Sequence, residues 1–164
     1  MKVPPLEIVE VDPQGDDALL LLREAAIEVR GLYPELFTSD TPWPTNPPTP
    51  QRGVYLVGYL DGAPVACGAL RPIDAETVEV RRMFVTDKVR RMGYAGAILK
   101  ELEDRAARFG YKVMRLETGK RQLSAMILYE KHGFTRIPPF GEYVADRVSV
   151  CFEKTVGPEA ADDD

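Results

Sequence analysis

The stretch Arg90–Glu103 reads RRMGYAGAILKELE and opens the best helical pattern of the chain, Gly93–Phe109. Apolar residues recur there at helical spacing, and a glycine follows the last of them. The first turn of a helix carries unpaired N–H groups and the positive end of the helix dipole. Because small residues and two arginines meet at this start, the stretch predicts a site for a phosphate or pyrophosphate. A solvent-exposed helix start explains the same residues about equally well.

The bulk composition predicts one soluble domain. The chain has 164 residues, of which 45% are hydrophobic and 29% are charged, as is typical of a globular protein. The net charge of -5 argues against a nucleic-acid partner. No apolar run reaches the roughly 20 residues that a membrane span needs. We therefore expect a cytoplasmic protein with neither a nucleic-acid nor a membrane partner.

Cysteine and histidine usage limits the metal and disulfide chemistry. Cys67 and Cys151 lie in strand-like apolar runs, which favours buried thiols over a disulfide. The single histidine, His132, cannot form a histidine cluster and is interpreted as a helix-end residue. We expect no metal site.

Strand and helix patterns follow one another in an order that predicts an α/β sandwich with a mixed sheet. The strand-like runs are LEIVEV, VYLVGYL, PVACGAL, TVEVRRMFV, KVMRLET, FTRI and SVCFEK, and helical runs lie at about 16–30, 93–109 and 123–131. The two strands that flank the 93–109 helix are expected to run parallel. Residues 1–156 are predicted to form a single domain with a proline-rich loop at about 38–52, followed by an acidic flexible tail at 157–164.

The spacing Arg90-x-x-Gly93-x-Ala95, entered from a strand and opening a long helix, resembles the acetyl-CoA signature of the GNAT N-acetyltransferase superfamily, Gln/Arg-x-x-Gly-x-Gly/Ala. Downstream, LETGKRQLSAMILYEKHGFTRIPPFGEY resembles the second half of the GNAT core. The resemblance covers about Tyr55 to Lys154. It implies a mixed, mostly antiparallel sheet of six to seven strands with a splayed parallel pair, flanked by about four helices.

By position, the resemblance also implies how acetyl-CoA is bound. The loop and helix start would hold the pyrophosphate largely through backbone N–H groups, and the strand before them would offer backbone groups to the pantetheine arm. Met92 stands where another basic residue is common, and Gln122 where many relatives have asparagine. The residues implied as cofactor-binding are Phe84, Val85, Arg90, Arg91, Met92, Gly93, Tyr94, Ala95 and Gln122.

Acetyl transfer to an amine needs a proton for the departing thiolate. The resemblance implies Tyr129 as this general acid. Its helical spacing with Ala125 and Leu128 is also typical of a residue that simply packs in the core.

The reaction also needs a base for the ammonium proton. Glu79 is the first candidate, because a glutamate inside an apolar strand is costly unless it is paired or functional. An ion pair with Arg81 explains Glu79 equally well. Glu117, at the end of the next strand, is the second candidate, although solvation at a strand end explains it more simply.

Two further positions are candidates for contact with the acceptor. Strand alternation predicts that Arg81 and Arg82 point to opposite faces. It places Glu79, Arg81, Met83 and Val85 on one face. Whichever arginine faces the cleft could hold a carboxylate or phosphate, although a solvated or ion-paired arginine is the commoner case. We assign substrate binding to Arg81 and to Tyr143. The alternative for Tyr143 is that its ring packs against the sheet.

These residues predict an acetyl-CoA-dependent N-acetyltransferase that acts by direct attack in a ternary complex on a primary amine of a small-molecule or amino-acid-like acceptor. Acetylation of a protein or peptide amine is one alternative, and a CoA-binding regulatory module without catalysis is another. The proline-rich segment 42–50 bears on this choice, because such a loop can close over a small acceptor or leave an open groove. Assembly as a homodimer is compatible with the sequence, which does not identify the acceptor.

Overall fold

The computed structural model describes residues 3–157 and contains one seven-stranded sheet with three α-helices. The strands are β1 (Glu7–Glu10), β2 (Val54–Leu60), β3 (Ala63–Pro72), β4 (Thr77–Val85), β5 (Val113–Gly119), β6 (Thr135–Ile137) and β7 (Ser149–Thr155). The helices are α1 (Asp16–Leu32), α2 (Tyr94–Arg108) and α3 (Leu123–Lys131). None of the helices in this part of the chain is long and apolar enough to cross a membrane.

The sheet has the order β1-β2-β3-β4-β5-β7-β6. Only β4 and β5 pair in parallel, and α2 connects them, which confirms the predicted mixed sheet and its parallel pair. The fold has three α-helices rather than about four within residues 3–157. Three one-turn 3-10 helices, at Pro34–Leu36, Asp87–Val89 and Gly141–Tyr143, lie in the connections.

Apolar side chains cover both faces of the sheet. The larger core lies on the face of α2 and α3, and a smaller one lies under α1. Gly68 allows α2 to approach β3 closely, because a Cβ there would lie 2.7 Å from Ile98 Cγ2 and 2.9 Å from Leu102 Cδ1. The side chain that is absent at this position therefore sets the distance between helix and sheet.

The parallel pair is joined only at its beginning. The ladder runs from Thr77↔Val113 to Val80↔Leu116, and the rest of β4 has no pairing with β5. The predicted splay is therefore present, and it opens a gap between the carboxyl ends of two central strands. Backbone groups along this gap are available to a ligand that lies between the strands.

The second half of β4 contains a β-bulge. Ala69 pairs with Arg81 and Cys67 with Phe84, so that Gly68 alone faces two residues of β4. One of these two, Arg82, has φ 62°, in the left-handed region. A bulge of this kind interrupts the alternation of side chains along a strand.

The proline-rich segment forms no helix or strand between residues 37 and 53. Trp43 fastens it to α1, because the guanidinium carbons of Arg23 and Arg30 lie 3.6 Å and 3.7 Å from the centroid of its ring. Arg30 Nη2 also donates to the carbonyl oxygens of Thr41 and Pro42, at 2.9 Å and 3.0 Å. The loop is thus packed against the helix through cation–π and hydrogen-bond contacts.

Candidate active site

The loop before α2 presents a row of backbone N–H groups. Gly93 caps the helix with φ 86°, and Arg91 is also in the left-handed region with φ 67°. Within residues 3–157, no acceptor receives a hydrogen bond from the N–H groups of residues 91–96. Unpaired N–H groups at left-handed turns and at a helix start form a concave anion site. This row suits a phosphate-type anion.

Two side chains of the same loop are engaged with the protein. Tyr94 is buried, and its hydroxyl donates to the carbonyl oxygen of Pro4 at 2.7 Å. Arg90 Nε donates to the Val85 carbonyl at 2.9 Å, and its guanidinium pairs with Glu28 of α1. Both residues fix the loop in place, so their predicted part in cofactor binding would come through the backbone or through local charge.

Small residues leave the row of N–H groups accessible. A Cβ built on Gly93 meets nothing within 4 Å, and the side chains of Arg91 and Met92 are exposed. Gly96 has a different role, because a Cβ there would lie 2.9 Å from Nε2 of His132. The imidazole of this C-cap residue of α3 therefore packs on the first turn of α2, a contact that the sequence pattern did not reveal.

The end of β4 offers its backbone to the gap beside β5. Thr86 N–H donates to the Val65 carbonyl at 2.8 Å, and Phe84 lies opposite Cys67 in the same ladder. Because hydrogen-bonded and non-hydrogen-bonded pairs alternate, the backbone groups of Phe84 face β3 and those of Val85 face the gap. Of the two predicted positions, Val85 therefore has the accessible backbone N–H, while its carbonyl accepts the hydrogen bond from Arg90.

Gln122 lies on the other side of the gap, between β5 and α3. Its Oε1 accepts a hydrogen bond from Gly119 N–H at 2.9 Å, while its Nε2 has no acceptor among the described residues. A Cβ on Gly119 would collide with the hydroxyl of Tyr33. The hydrogen bond at Oε1 thus fixes the side-chain amide of Gln122, and its Nε2 remains available as a donor.

Tyr129 both packs in the core and keeps an unused hydroxyl. The side chain is 5% exposed, and its ring centroid lies 6.0 Å from those of Phe134 and Phe152. No hydrogen bond joins its hydroxyl to the residues that the structure describes. Burial, and then the negative charge of Glu117, raise the pKa of Tyr129 well above its ordinary range. The phenol therefore stays protonated at neutral pH, as a proton donor must.

Glu79 is a buried carboxylate, and each of its two oxygens accepts a hydrogen bond from a protein side chain. Its side chain is 3% exposed, and Arg71 Nη2 lies 2.7 Å from Oε1. The Tyr143 hydroxyl donates to Oε2 at 2.8 Å, and Arg81 Nη1 lies 3.7 Å from the same oxygen. Glu79 is therefore paired chiefly with Arg71, across β3 and β4, rather than with Arg81. Both carboxylate oxygens of Glu79 are thus occupied by protein donors, which leaves neither oxygen free to contact an acceptor.

Glu117 is held far less tightly. Its one hydrogen bond within residues 3–157 comes from Ser149 Oγ, at 2.7 Å from Oε2. Burial raises the pKa of this carboxyl above its ordinary value. A carboxylate with a raised pKa and a single neutral donor is a better proton acceptor than one held by two arginines.

Comparison with known proteins identifies the family. Residues 23–134 match the model of the acetyltransferase (GNAT) family. The chain belongs to the GNAT acetyltransferase family. An IAA acetyltransferase of Azospirillum brasilense is 33% identical over 154 residues, which is 93% of this chain and 99% of that protein.

Solved structures agree with this assignment. A protein from Klebsiella pneumoniae, described as an acyl-CoA N-acyltransferase, matches 92% of this chain and 97% of its own with 26% identity and a TM-score of 0.76. A GNAT family acetyltransferase from Elizabethkingia anophelis, solved with acetyl-CoA bound, matches 92% of this chain and 98% of its own with 19% identity and a TM-score of 0.65. The second likeness concerns the fold alone.

On the α1 face of this GNAT fold, both arginines of β4 point the same way. Arg81 Nη1 donates to the Tyr143 hydroxyl at 3.1 Å, and Arg82 Nε donates to Asn46 Oδ1 at 3.0 Å. Met83, in contrast, packs in the larger core on the opposite face. The prediction that the two arginines face opposite sides, and that Met83 shares the face of Glu79, was wrong because the bulge at Arg82 interrupts the alternation.

A cavity of about 350 Å³ lies beside the bulge, between α1, the proline-rich loop and the sheet. Its lining is largely apolar, and the members that carry a polar group are Arg30, Tyr55, Cys67 and Arg82. The Tyr55 hydroxyl is buried and has no hydrogen-bond partner within residues 3–157. Arg82 of the splayed half of β4 belongs to this lining, and Met83 also borders the cavity although it packs against the larger core. This half of the strand therefore borders both the cavity and the gap beside β5. No sequence signal singled out Tyr55, because it lies in the apolar run VYLVGYL like an ordinary core residue.

Proposed function

We propose that this GNAT protein transfers an acetyl group from acetyl-CoA to the primary amine of a small molecule by direct attack in a ternary complex. One observation carries the proposal. The carboxyl-terminal half of β4 lies between a gap bordered by unpaired backbone donors and a cavity of about 350 Å³. A donor in the gap and an acceptor in the cavity would meet at this strand.

The residues present fit acetyl-CoA, which when bound supplies an acyl group activated as a thioester. The N–H groups of residues 91–96 have no protein acceptor in the described chain and would hold the pyrophosphate. The backbone of Val85 and the free Nε2 of Gln122 would hold the pantetheine amides. The bound acetyl-CoA of the Elizabethkingia relative supports this assignment by analogy of fold.

Two side chains would carry the proton transfers. Glu117, with a raised pKa and one neutral hydrogen-bond donor, accepts the ammonium proton directly or through water. Tyr129, protonated and with a free hydroxyl, gives a proton to the departing thiolate. Glu79 keeps Arg71, Arg81 and Tyr143 in position rather than acting as the base.

The size and cover of the cavity favour a small acceptor over a protein. Ligand pockets for small molecules start at about 300 Å³, and this cavity is closed on one side by the proline-rich loop that Trp43 fastens to α1. The similarity to an IAA acetyltransferase, which is named for a small molecule, supports the same choice. Protein acetylation and a regulatory module without catalysis remain the two alternatives.

Release of CoA from acetyl-CoA, measured over a panel of amines and lysine peptides, tests the proposal. We expect turnover with small amines and none with peptides. Turnover confined to peptides would support protein acetylation instead. Binding of acetyl-CoA without turnover on any amine would support the regulatory module and contradict the proposed reaction.

A further inference from the structure

Resting on the proposed function, we propose that the acceptor is an apolar amine that also carries a carboxylate, and that Arg82 and the Tyr55 hydroxyl bind this carboxylate. Both residues line the cavity beside the β4 bulge. Each has a polar atom that the described protein leaves without a partner of the right kind. The acceptor would supply that partner.

Arg82 differs from its two neighbours in having no carboxylate beside it. Arg71 pairs with Glu79 at 2.7 Å, and Arg81 lies 3.7 Å from both Glu79 and Glu142. Arg82 forms no such pair within residues 3–157. Its hydrogen-bond acceptors are neutral oxygens of the proline-rich loop, Asn46 Oδ1 at 3.0 Å and Thr45 O at 3.2 Å.

These loop contacts leave part of the guanidinium free. Nε and Nη2 of Arg82 are engaged, whereas Nη1 has no acceptor in the described chain. A partly buried guanidinium without a counter-charge is unfavourable unless an anion joins it. Burial is also the first cause of a lowered pKa of Arg82, and the positive charge of Arg81 is the second. The site therefore favours a negative ligand.

Tyr55 supplies a second unpartnered group. Its side chain is 4% exposed, and its hydroxyl is the one buried side-chain polar atom without a hydrogen bond in the described chain. Asn46 is engaged with Arg82 and with Pro13 O at 2.8 Å, and Cys67 Sγ donates to Arg82 O at 3.1 Å. Both neighbours thus have other partners, and the phenol forms no well-aligned hydrogen bond with either of them. The phenol stays neutral because burial raises its pKa to about 12. A neutral hydroxyl can donate to a carboxylate.

The rest of the cavity indicates what kind of molecule carries the carboxylate. Apolar side chains from α1 and the loop form most of the lining, which contains Arg30 and Arg82 but no aspartate or glutamate. An apolar body fits such a wall, and an acceptor with one anionic group balances its positive charge. A polyamine, with several positive charges, would meet two arginines and no carboxylate there. Polyamines are therefore expected to be poor acceptors.

The backbone at Arg82 provides an independent argument. A side chain at φ 62° is uncommon for a residue other than glycine, and such strained positions cluster at ligand sites. The bulge that requires this conformation is also what turns Arg82 to the face of the cavity.

Matched pairs of acceptors test the proposal. L-phenylalanine and L-leucine are compared with L-phenylalaninamide and L-leucinamide by the rate of CoA release, with spermidine as the polycation. We expect kcat/KM to favour each acid over its amide by about 10- to 100-fold. In R82Q this ratio should fall towards one, and in Y55F it should fall by less. The acid and the amide differ in amine basicity, but this difference is the same in each protein and cancels in the comparison.

R108Q is the matched control, because it removes an arginine charge from the exposed surface of α2 and should leave the ratio as in the wild type. R82K keeps the charge but not the planar fork, so it should lose part of the ratio, and it replaces R82Q if that variant does not fold. An acid-to-amide ratio near one in the wild type, or an unchanged ratio in both R82K and Y55F, would overturn the proposal.

A binding measurement separates this inference from the proposed reaction. The chain has one tryptophan, Trp43, which is stacked on the cavity residue Arg30, so its fluorescence should report on ligands in the cavity. Titration with 3-phenylpropanoate and 3-phenylpropanamide requires no turnover. Tighter binding of the acid, lost in R82Q, supports the carboxylate site even if no amine releases CoA. Equal binding of acid and amide contradicts it.

Discussion

The two sides of β4 are built from different parts of the chain. The first side, called the donor side, is the gap beside β5, where we propose that acetyl-CoA binds. The groups that could hold a ligand there belong to the backbone, namely the N–H groups of residues 91–96 and of Val85. The second side, called the acceptor side, is the cavity beside the bulge, where we propose that the amine binds. The groups that could hold a ligand there are side chains, above all Arg82 and Tyr55. Backbone donors depend on little more than a glycine and a helix start, whereas side-chain groups depend on which residues distant segments bring together.

The largest expected effect concerns the carboxylate Glu117, which we compare with Glu79. E117Q should lower kcat by about 1,000-fold, because a positioned general base contributes on the order of 100- to 10,000-fold. In the wild type, kcat/KM should fall with decreasing pH through the raised pKa of Glu117, since only the deprotonated form accepts a proton. This limb should be absent from the residual activity of E117Q. A wild-type limb that persists in the variant would show that another group is the base.

The stability of E79Q, compared with that of E117Q, tests the different roles of the two carboxylates. A raised carboxyl pKa in the folded state means that ionised Glu117 lowers stability above that pKa, so E117Q should not reduce the melting temperature at neutral pH. E79Q instead leaves Arg71 and Arg81 without their buried counter-charge and should cost about 1–3 kcal/mol of unfolding free energy. Thermal unfolding of both variants separates the two roles. Loss of stability in E117Q alone would reverse the assignment.

The next largest effect concerns Tyr129, the proposed proton donor to the departing thiolate. Y129F should lower kcat by about 100-fold and leave the dissociation constant of CoA nearly unchanged, because only the proton donor is removed. Unfolding should be unaffected, since the Tyr129 hydroxyl has no hydrogen bond in the described chain. Y111F is the control, because its hydroxyl donates to the Arg52 carbonyl at 2.9 Å and its loss should affect stability but not turnover. Undiminished activity in Y129F would show that Tyr129 only packs.

The smallest of these effects concerns the donor side. G93V should raise the KM for acetyl-CoA about tenfold, because a β-branched residue is strained at φ 86° and the row of N–H groups would shift. G62V is the matched control. Gly62 has φ 81° and, like Gly93, no atom within 4 Å of a built Cβ, but it lies in the turn between β2 and β3. A similar rise in KM in both variants would attribute the effect to general strain.

The sequence was sufficient for the sheet and for the helices that border the gap beside β5. The helix at 93–109, the helix at 123–131 and the strands around them depend on local periodicity and on glycines, which are visible in a short window. The same local features carry the family signature. The roles assigned to Gly93, Val85, Gln122 and Tyr129 stay predictions, now with a defined geometry.

The acceptor side could not be predicted in the same way. The pair Arg71–Glu79 joins two strands, and the bond from Tyr143 to Glu79 spans 64 positions, so neither follows from local spacing. Counting alternate residues along TVEVRRMFV gave the wrong face for Met83 and separated two arginines that lie together. No residue type in this run signals a bulge, because the left-handed position is occupied by arginine rather than by glycine.

The bulge also has a consequence for how the protein could evolve. If Arg82 is removed from β4, then Arg81, Met83, Phe84 and Val85 alternate regularly between the two faces that they occupy now. Arg82 is thus a one-residue insertion in an otherwise ordinary strand. Loss or gain of a single codon would change the charge of the acceptor cavity while leaving the fold and residues 91–96 in place. If Arg82 binds the acceptor as we propose, acceptor choice could therefore diverge in one step while the residues proposed to hold acetyl-CoA stay unchanged.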